Sequence, residues 1–365
     1  MRVQCNKRDE DCRTSSYPHG ARVARTTTLT VGLARCAVIA YTLAPGRGGA
    51  GRVEHGAYVM HVVILERNKL VGRKVARLFM AAGNTAVTIE DPTALPGALD
   101  GVNVLCADTF DGDLVAEQVR ARPGVRGVLW TAEPLKRSLR YLVETAEIDH
   151  VLGRRDFESA PRAWELTMLA RRIQGAPTPP LSAYLDWGFT ALDIDVRATG
   201  DREAAAAKIH DFVGALGVPR RVAEMFAELG DELVMNAMYD APVDAAGRPK
   251  YAADRKAHIE LAAHERPALR IATDGTRLVL QVRDPFGRLE RRHVFEGLVR
   301  GLSGGEQDRS GGGAGLGMMV CHNASTAMFF DVVPHRHTEV TALFELDINL
   351  REFRTQAKSL HFWRH

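Results

Sequence analysis

The sequence predicts two folded parts, a doubly wound α/β part with a parallel sheet and an α+β part built on an antiparallel sheet. Short apolar runs alternate with amphipathic helical segments over residues 61–173, which is typical of consecutive βαβ units. Residues 176–180 then carry three prolines in five positions, and proline cannot continue a helix. Beyond them, strands with period-two alternation recur around two long helical segments. A chain of 365 residues is long enough for both parts.

The first part follows a regular order of strand and helix. Its predicted strands are residues 61–65, 85–89, 102–106, 127–130 and 150–152. Its predicted helices are residues 71–82, 113–122, 136–144 and 163–173. Apolar runs of this length between helices favour buried parallel strands, because both faces of such a sheet are covered.

The second part mixes hairpins with helices. Its predicted strands are residues 191–196, 269–271, 278–283, 327–333 and 339–346, and its predicted helices are residues 202–216 and 222–241. The pair Asp274-Gly275 lies between two of the strands and is a strong hairpin signal. We therefore expect an antiparallel sheet with helices on one face.

Composition limits the classes of function. The net charge of +3, without basic residues interleaved with aromatic ones, argues against nucleic acid as a partner. Five scattered cysteines without metal-ligand spacing indicate free thiols in a reducing cytoplasm. Residues 1–59 lack periodicity, and we interpret them as a disordered extension or an over-long gene start, with a signal peptide as the alternative. No run is long and apolar enough for a membrane span.

The first part resembles the receiver domain of two-component signalling. Asp108 follows the third strand, where a receiver keeps its phosphorylated aspartate, and Thr131 ends the fourth strand, where a receiver keeps a hydroxyl. A receiver also needs an acidic pair after the first strand and a lysine after the fifth. This chain has only Glu66 and, near the place of the lysine, Arg154. Asp108 and Thr131 remain the possible phosphoacceptor site. We favour a receiver-like domain that is not phosphorylated, because the site offers too few carboxylate ligands to bind Mg²⁺.

Three motifs in the second part indicate a nucleotide-phosphate site. Glu232, Asn236 and Asp240 are four residues apart and share one helix face. Asp284 ends a strand, where a carboxylate can accept a hydrogen bond from the amine of adenine, although an aspartate in a turn is also common there. The glycine-rich residues 311–317 open a further helix, whose first amides suit a phosphate. The charged residues 288–310 before them suit a mobile lid.

These motifs make residues 191–349 resemble the GHKL ATPase fold of histidine kinases, anti-sigma-factor serine kinases and gyrase. The resemblance implies a Bergerat-type α+β sandwich that binds ATP and Mg²⁺, with Asn236 as the metal ligand and Glu232 as the catalytic base. It implies Asp284 as the residue that reads adenine, assisted by Thr338, and Gly287 as a glycine of the base pocket. The remaining nucleotide-binding residues are then Asp240, Gly313, Gly315, Leu316 and Gly317. One departure is Phe286, which stands where the family has a glycine.

We therefore expect an extension over 1–59, a receiver-like domain over 60–175, a linker over 176–182, a GHKL domain over 183–350 and a tail over 351–365. The predicted function is a cytoplasmic ATP-binding signalling protein that phosphorylates or sequesters a protein partner, and a homodimer is one arrangement open to it. Two alternatives stay open: a non-catalytic module gated by nucleotide, and an atypical histidine kinase. The histidine kinase is disfavoured because no helical hairpin with a phosphoacceptor histidine precedes the ATPase motifs.

Overall fold

The computed structural model describes residues 58–302, 314–347 and 349–365. In this part of the chain eleven strands form one mixed sheet in the order β2-β1-β3-β4-β5-β11-β9-β10-β8-β7-β6. The strands are β1 (His61–Leu65), β2 (Thr85–Ile89), β3 (Val104–Asp108), β4 (Arg126–Thr131), β5 (Ile148–Gly153), β6 (Thr190–Asp195), β7 (Ala268–Thr273), β8 (Arg277–Asp284), β9 (Ala327–Val333), β10 (His337–Glu345) and β11 (Ser359–Arg364).

Nine α-helices connect or cover these strands in the described ranges. They are α1 (Lys69–Ala81), α2 (Gly112–Arg120), α3 (Leu139–Glu144), α4 (Ala163–Ile173), α5 (Asp201–Gly214), α6 (Arg220–Met235), α7 (Arg291–Leu302), α8 (Ala314–Ala324) and α9 (Leu350–Thr355). None of the described helices is long and apolar enough to cross a membrane.

The N-terminal half of the sheet is the predicted doubly wound α/β arrangement. Strands β1 to β5 are parallel throughout, and β1 lies between β2 and β3. All five predicted strands are present, with ends that shift by up to two residues. The apolar runs form strands because both faces are buried: Val63 and Leu65 of β1 point to one core, and Val62 and Ile64 point to another.

The C-terminal half of the sheet is antiparallel from β6 to β9, as the alternating pattern predicts. The turn between β7 and β8 is built on Asp274, whose Oδ1 accepts hydrogen bonds from the amides of Thr276 (2.8 Å) and Arg277 (2.7 Å). Gly275 has φ of 88°, a value that favours glycine. Helices α5, α6 and α8 cover one face. The other face, expected to lack helices, packs against Trp164 and Met168 of α4.

Residues 351–365, predicted as a tail, instead contain most of α9 and all of β11. Strand β11 pairs antiparallel with β5 and parallel with β9, so it joins the two halves into one sheet. Leu360 and Phe362 are buried in the core on one face, and Trp363 is buried in a core on the other. The prediction of a tail is wrong because burial on both faces, rather than local alternation, makes this segment a strand.

Two further predictions need correction within the described ranges. Part of the segment 288–310, expected as a mobile lid, is helix α7, with Val294, Phe295 and Leu298 buried. The helix expected over 222–241 is α-helical only to Met235 and continues as a π-helical turn over Asn236–Asp240. The expectation for the N-terminal extension concerns residues that lie almost entirely outside the described ranges.

Candidate functional site

The end of helix α6 carries the first group of predicted site residues. The amide of Ala241 donates to the carbonyl of Asn236 (3.1 Å), five residues back, which closes a π-helical turn. Such turns are rare and occur frequently at functional sites, because they change the direction in which successive side chains point. Ala237 and Met238 of this turn are buried in the core, while Asn236 and Asp240 are only half-buried.

The end of strand β8 positions the second group. Asp284 Oδ1 accepts hydrogen bonds from the amides of Phe286 (2.8 Å) and Gly287 (3.2 Å), which fixes the carboxylate at the edge of the sheet. Gly287 has φ of 65°, and a Cβ there would collide with the carbonyl oxygen of Val333. Burial raises the pKa of Asp284, and the two amide hydrogen bonds oppose this rise.

Thr338 lies directly opposite Asp284 in the ladder of β8 and β10. Its hydroxyl is buried and makes no hydrogen bond of good geometry in the described part of the chain, although it lies close enough to Asp284 to help lower the pKa of that carboxyl. A buried hydroxyl without a partner is costly, so a ligand that bonds to it would be stabilised there. Asp284 and Thr338 therefore form a pair of polar groups suited to a ligand with adjacent donor and acceptor atoms.

These two groups meet at one cavity of about 350 Å³, a size typical of small-molecule sites. Of the predicted residues, Asn236, Asp240, Asp284 and Thr338 line it. Its apolar wall is formed by side chains from α6, α8, β8, β10 and the loop before α7, among them Leu233, Val282, Leu289, Met318 and Val340.

Two arginines and a histidine of this cavity were missed by the sequence analysis. Arg255 forms an ion pair with Asp240, and Arg288 donates from Nη1 to the carbonyl oxygen of Asp240 (3.2 Å). Burial raises the pKa of Asp240, while Arg255 and Arg288 lower it. His293, at the start of α7, is the third residue that was missed. The only signal for Arg288 is its position directly after Gly287, and the region around Arg255 has no periodic pattern.

Glu232, the predicted catalytic base, does not line the described cavity. It lies half-buried one turn before Asn236, with its carboxylate against Gly317 of α8, where a Cβ would collide with it. Burial raises the pKa of Glu232, and the neighbouring Asp231 adds to the rise. The close approach of α6 and α8 therefore explains the glycine at 317.

For the other residues of the glycine-rich segment, the structure describes only part of the backbone. Gly313 lies outside the described residues. Gly315 and Leu316 are in the first turn of α8, which begins at Ala314 and so confirms a helix directly after the glycines. Their predicted role in phosphate binding stays a prediction.

A second cluster of charged residues lies at the carboxyl ends of β1, β3 and β5. The buried guanidinium of Arg154 donates from Nη1 to Glu66 Oε2 (3.1 Å) and from Nη2 to Asp108 Oδ2 (2.7 Å). Trp130 Nε1 also donates to Glu66 Oε2 (3.1 Å). Burial raises the pKa of Asp108, and Arg154 acts against this rise. The arginine thus engages both carboxylates that a divalent cation would need.

Thr131 completes the set of receiver-like positions without joining this cluster. Its hydroxyl is buried and accepts a hydrogen bond from the amide of Glu133 (2.9 Å). Asp108 Oδ1 is likewise used, because it accepts from the amide of Phe110 (2.8 Å). Both predicted residues are therefore at the expected edge of the sheet, and both make hydrogen bonds within the chain.

Comparison with solved structures finds receiver domains for about a third of this chain. A response regulator receiver domain protein from Clostridium thermocellum is 13% identical and matches 32% of this chain and 94% of its own, with a TM-score of 0.28. A response regulator from Thermotoga maritima is 11% identical, and the match covers 33% of this chain and 100% of that protein's chain, with a TM-score of 0.28. A putative pilus assembly protein from Burkholderia thailandensis is 16% identical, and the match covers 32% of this chain and 100% of that protein's chain, with a TM-score of 0.28. No protein-family model and no curated protein sequence matches the chain.

Proposed function

We propose that this chain is an ATP-binding signalling protein whose C-terminal half binds ATP with Mg²⁺ and whose receiver-like half acts without phosphorylation. It phosphorylates a protein partner on serine or threonine, or sequesters that partner. The observation that carries the proposal is that Asn236, Asp284 and Thr338, which are far apart in the sequence, line the same cavity.

The end of the cavity at Asp284 and Thr338 fits adenine. Asp284 Oδ1 already accepts two amide hydrogens, so we assign Oδ2 to the exocyclic amine of adenine. The buried hydroxyl of Thr338, which makes no hydrogen bond of good geometry and lies close to the Asp284 carboxylate, suits a ring nitrogen. Guanine presents a carbonyl oxygen where adenine has the amine, and two acceptors facing each other repel. Apolar side chains such as Val282 and Val340 would contact the base.

The Asn236 end fits a phosphate-bound cation. In the described ranges no group of three or more His, Cys, Asp or Glu residues could hold a metal ion by itself. Mg²⁺ bound with a nucleotide needs few protein ligands, because phosphate oxygens and waters supply the rest. The side-chain oxygen of Asn236 is a suitable hard ligand, whereas Asp240 is engaged by Arg255. Arg255 and Arg288 add positive charge that suits a polyphosphate.

The test of adenine recognition is calorimetric titration of the full chain with Mg·ATP and Mg·GTP. We expect ATP to bind and GTP to bind far more weakly. Asp284→Asn should weaken ATP binding by about 1.5–3 kcal/mol, the value of a hydrogen bond to a charged group. The control is Asp113→Asn, the same substitution at an exposed aspartate of the receiver-like half. Unchanged ATP affinity in Asp284→Asn would refute the adenine assignment.

The metal assignment is tested separately with Asn236→Ala. We expect this variant to lose the part of ATP affinity that depends on Mg²⁺, because its oxygen ligand is removed, while affinity measured in EDTA stays as in the wild type. The thermal unfolding temperature should change little, since the side chain is only half-buried. A variant that binds Mg·ATP normally, or one that unfolds, would show that Asn236 has a structural role.

A second candidate function is a nucleotide-gated interaction module without phosphotransfer. It is favoured by the position of Glu232, which contacts Gly317 and does not line the described cavity. The two functions are separated by single-turnover incubation with γ-labelled ATP and proteins captured from the native cell. Transfer of label that is lost in Glu232→Gln supports the kinase. ATP-dependent capture without transfer supports the module.

A further inference from the structure

A second cavity, of about 490 Å³, lies where the two halves of the chain meet. Its walls come from residues 134–136 of the N-terminal half and from α6, α8, α9 and the segment before β11. It shares no lining residue with the cavity around Asp284, so it is a separate site. Its volume is in the range of sites for small organic molecules.

The wall of this cavity contains a buried lysine without a carboxylate partner. Lys358 is 7% exposed and forms no salt bridge with any described residue. Its Nζ donates to the carbonyl oxygens of His322 (2.9 Å) and Asn323 (3.0 Å) near the end of α8, and lies 4.1 Å from the ring centre of Phe353. The end of a helix supplies about half a negative charge, which leaves the ammonium incompletely neutralised.

Burial lowers the pKa of Lys358 to about 7, as expected when no anion stabilises its charged form. His322 beside it does not compensate, because burial lowers its own pKa to about 3 and keeps it neutral. The lysine is therefore poised to gain stability from an anion that enters the cavity.

The remaining polar groups of the wall also favour an anion. Lys136 and Arg354 are exposed at the cavity, and neither pairs with a carboxylate in the part of the chain that the structure describes. Glu228 is the one carboxylate on the described wall, and it lies 3.6 Å from Arg221. The Oε1 atom of Gln356 is buried and has no hydrogen-bond partner there, so it can accept from a ligand hydroxyl or amine.

Apolar side chains form the rest of the wall and set the kind of molecule that fits. They include Met225, Leu302, Val320, Leu350 and Phe353. We propose that this cavity binds an organic phosphate, whose phosphate group contacts Arg354 and Lys136, with Lys358 beside the bound molecule, and whose apolar body packs against α6, α8 and α9. A ligand here contacts both halves of the chain, so it would stabilise their arrangement.

The experiment uses pyridoxal 5′-phosphate as a probe, since it carries both a phosphate and an aldehyde. The neutral amine of a lysine attacks the aldehyde carbon, water leaves, and the resulting imine is reduced by borohydride to a stable secondary amine. Peptide mass spectrometry then gives the extent of labelling at each lysine of the full chain. Pyridoxal, which lacks the phosphate, is the matched probe, and the exposed Lys208 on α5 is the internal reference.

Relative to Lys208, we expect Lys358 to be labelled about tenfold faster by pyridoxal 5′-phosphate than by pyridoxal, the lower end of what one charge-assisted hydrogen bond contributes. The double variant Lys136→Met/Arg354→Met should remove this preference, and it changes only exposed side chains. The control double variant Arg73→Met/Lys74→Met removes the same amount of charge from exposed positions on α1, and it should leave the preference unchanged. Inorganic pyrophosphate should slow the labelling.

Two results would overturn the proposal. Equal labelling of Lys358 by the two probes would show that the cavity does not select a phosphate. A preference that survives Lys136→Met/Arg354→Met would show that these two side chains do not bind the phosphate. Lys358→Arg keeps the charge at the end of α8 and cannot form the imine, so loss of the labelled peptide in that variant confirms the assignment.

Discussion

At the scale of single residues, Arg154 decides what the receiver-like half can do. Its guanidinium bonds to Glu66 and Asp108 at once, and all three side chains are buried. The sequence shows that an arginine stands near the place of a lysine, but it does not show that the fork of the guanidinium spans two carboxylates. That geometry depends on three strands far apart in the chain, so a single sequence could not predict it.

We predict that Asp108 does not accept a phosphoryl group from acetyl phosphate and Mg²⁺. The cation would have to displace Arg154 from both carboxylates, and phosphoryl transfer depends on that cation. Intact-mass measurement after incubation should show no adduct. An adduct in the wild type that disappears in Asp108→Asn would instead make this domain an input switch. Asp113→Asn, which changes an exposed aspartate outside this cluster, serves as the control.

Four of the residues predicted to bind nucleotide line one cavity, and local sequence pattern accounts for three of them. The spacing of four on one helix indicates Asn236 and Asp240, although a π-helical turn rather than a regular helical face holds them at the cavity. The end of an alternating strand indicates Asp284, and only the resemblance to the GHKL fold indicates Thr338. Arg255 could not be predicted, because it follows a long irregular segment and reaches Asp240 only through the fold. Local periodicity thus identifies side chains held by helices and strands, and misses those held by loops.

At the scale of secondary-structure elements, helix α7 links the two halves. Arg291 donates from Nε to Asp149 Oδ1 (2.6 Å) and from Nη2 to the carbonyl oxygens of Thr145 (2.9 Å) and Ile148 (2.8 Å). All three acceptors belong to the N-terminal half. The same helix begins beside Leu289 and contributes His293 to the candidate nucleotide cavity.

The sequence carries a signal for α7 that the interpretation as a lid overlooked, because Val294, Leu298 and Leu302 recur every four residues. Arg291, Arg292 and Glu296 are charged, and Gly297 is a poor helix former. The helix is stabilised by burial of Val294, Phe295 and Leu298, which form its apolar face. The predicted lid is therefore at least partly a packed element.

We predict that Arg291→Met weakens ATP binding by about fivefold, the low end of measured couplings between sites. Without its three bonds to the N-terminal half, α7 is held less firmly beside the cavity. The control is Arg300→Met, which removes an exposed arginine of the same helix that lies 3.9 Å from Glu296. Calorimetric titration with Mg·ATP measures both variants. If Arg291→Met loses stability but binds ATP as the wild type does, α7 does not couple the halves.

At the scale of the whole molecule, strand β11 makes one sheet of two predicted parts. The core on one face runs from Val63 and Leu65 in β1 through Phe362 in β11 to Ile271 in β7. Buried polar contacts accompany it, among them the ion pair of Arg172 with Asp331 and the contact of Glu165 with His361 (2.8 Å). The two parts are thus in contact through both a continuous core and buried charges.

A single sequence could not place β11, since its partners are remote. It pairs with β5, about 200 residues away, and with β9. Gly153 at the end of β5 permits this approach, because a Cβ there would collide with the carbonyl oxygen of Ala357. Pairing with β5 and β9 determines the position and register of this strand. A pattern of only six residues is too short to predict a strand by itself.

We predict that Phe362→Ala destabilises the N-terminal and C-terminal strands together. Phe362 is 3% exposed, contacts Phe295 and Phe330, and lies in the core that both halves share. Its truncation should cost about 3–5 kcal/mol, as for other buried phenylalanines. Arg364→Ala, an exposed position on the same strand, should change stability by no more than about 0.5 kcal/mol.

Native-state hydrogen exchange measures the effect strand by strand. Because β11 lies between β5 and β9, we expect amides of β3 and β4 to lose protection in Phe362→Ala to the same extent as amides of β8 and β10. Loss confined to β8 and β10 would mean that the receiver-like half is stable on its own and that β11 merely docks on it. Equal loss would mean that the chain unfolds as one unit, so that any ligand bound in one half also stabilises the other.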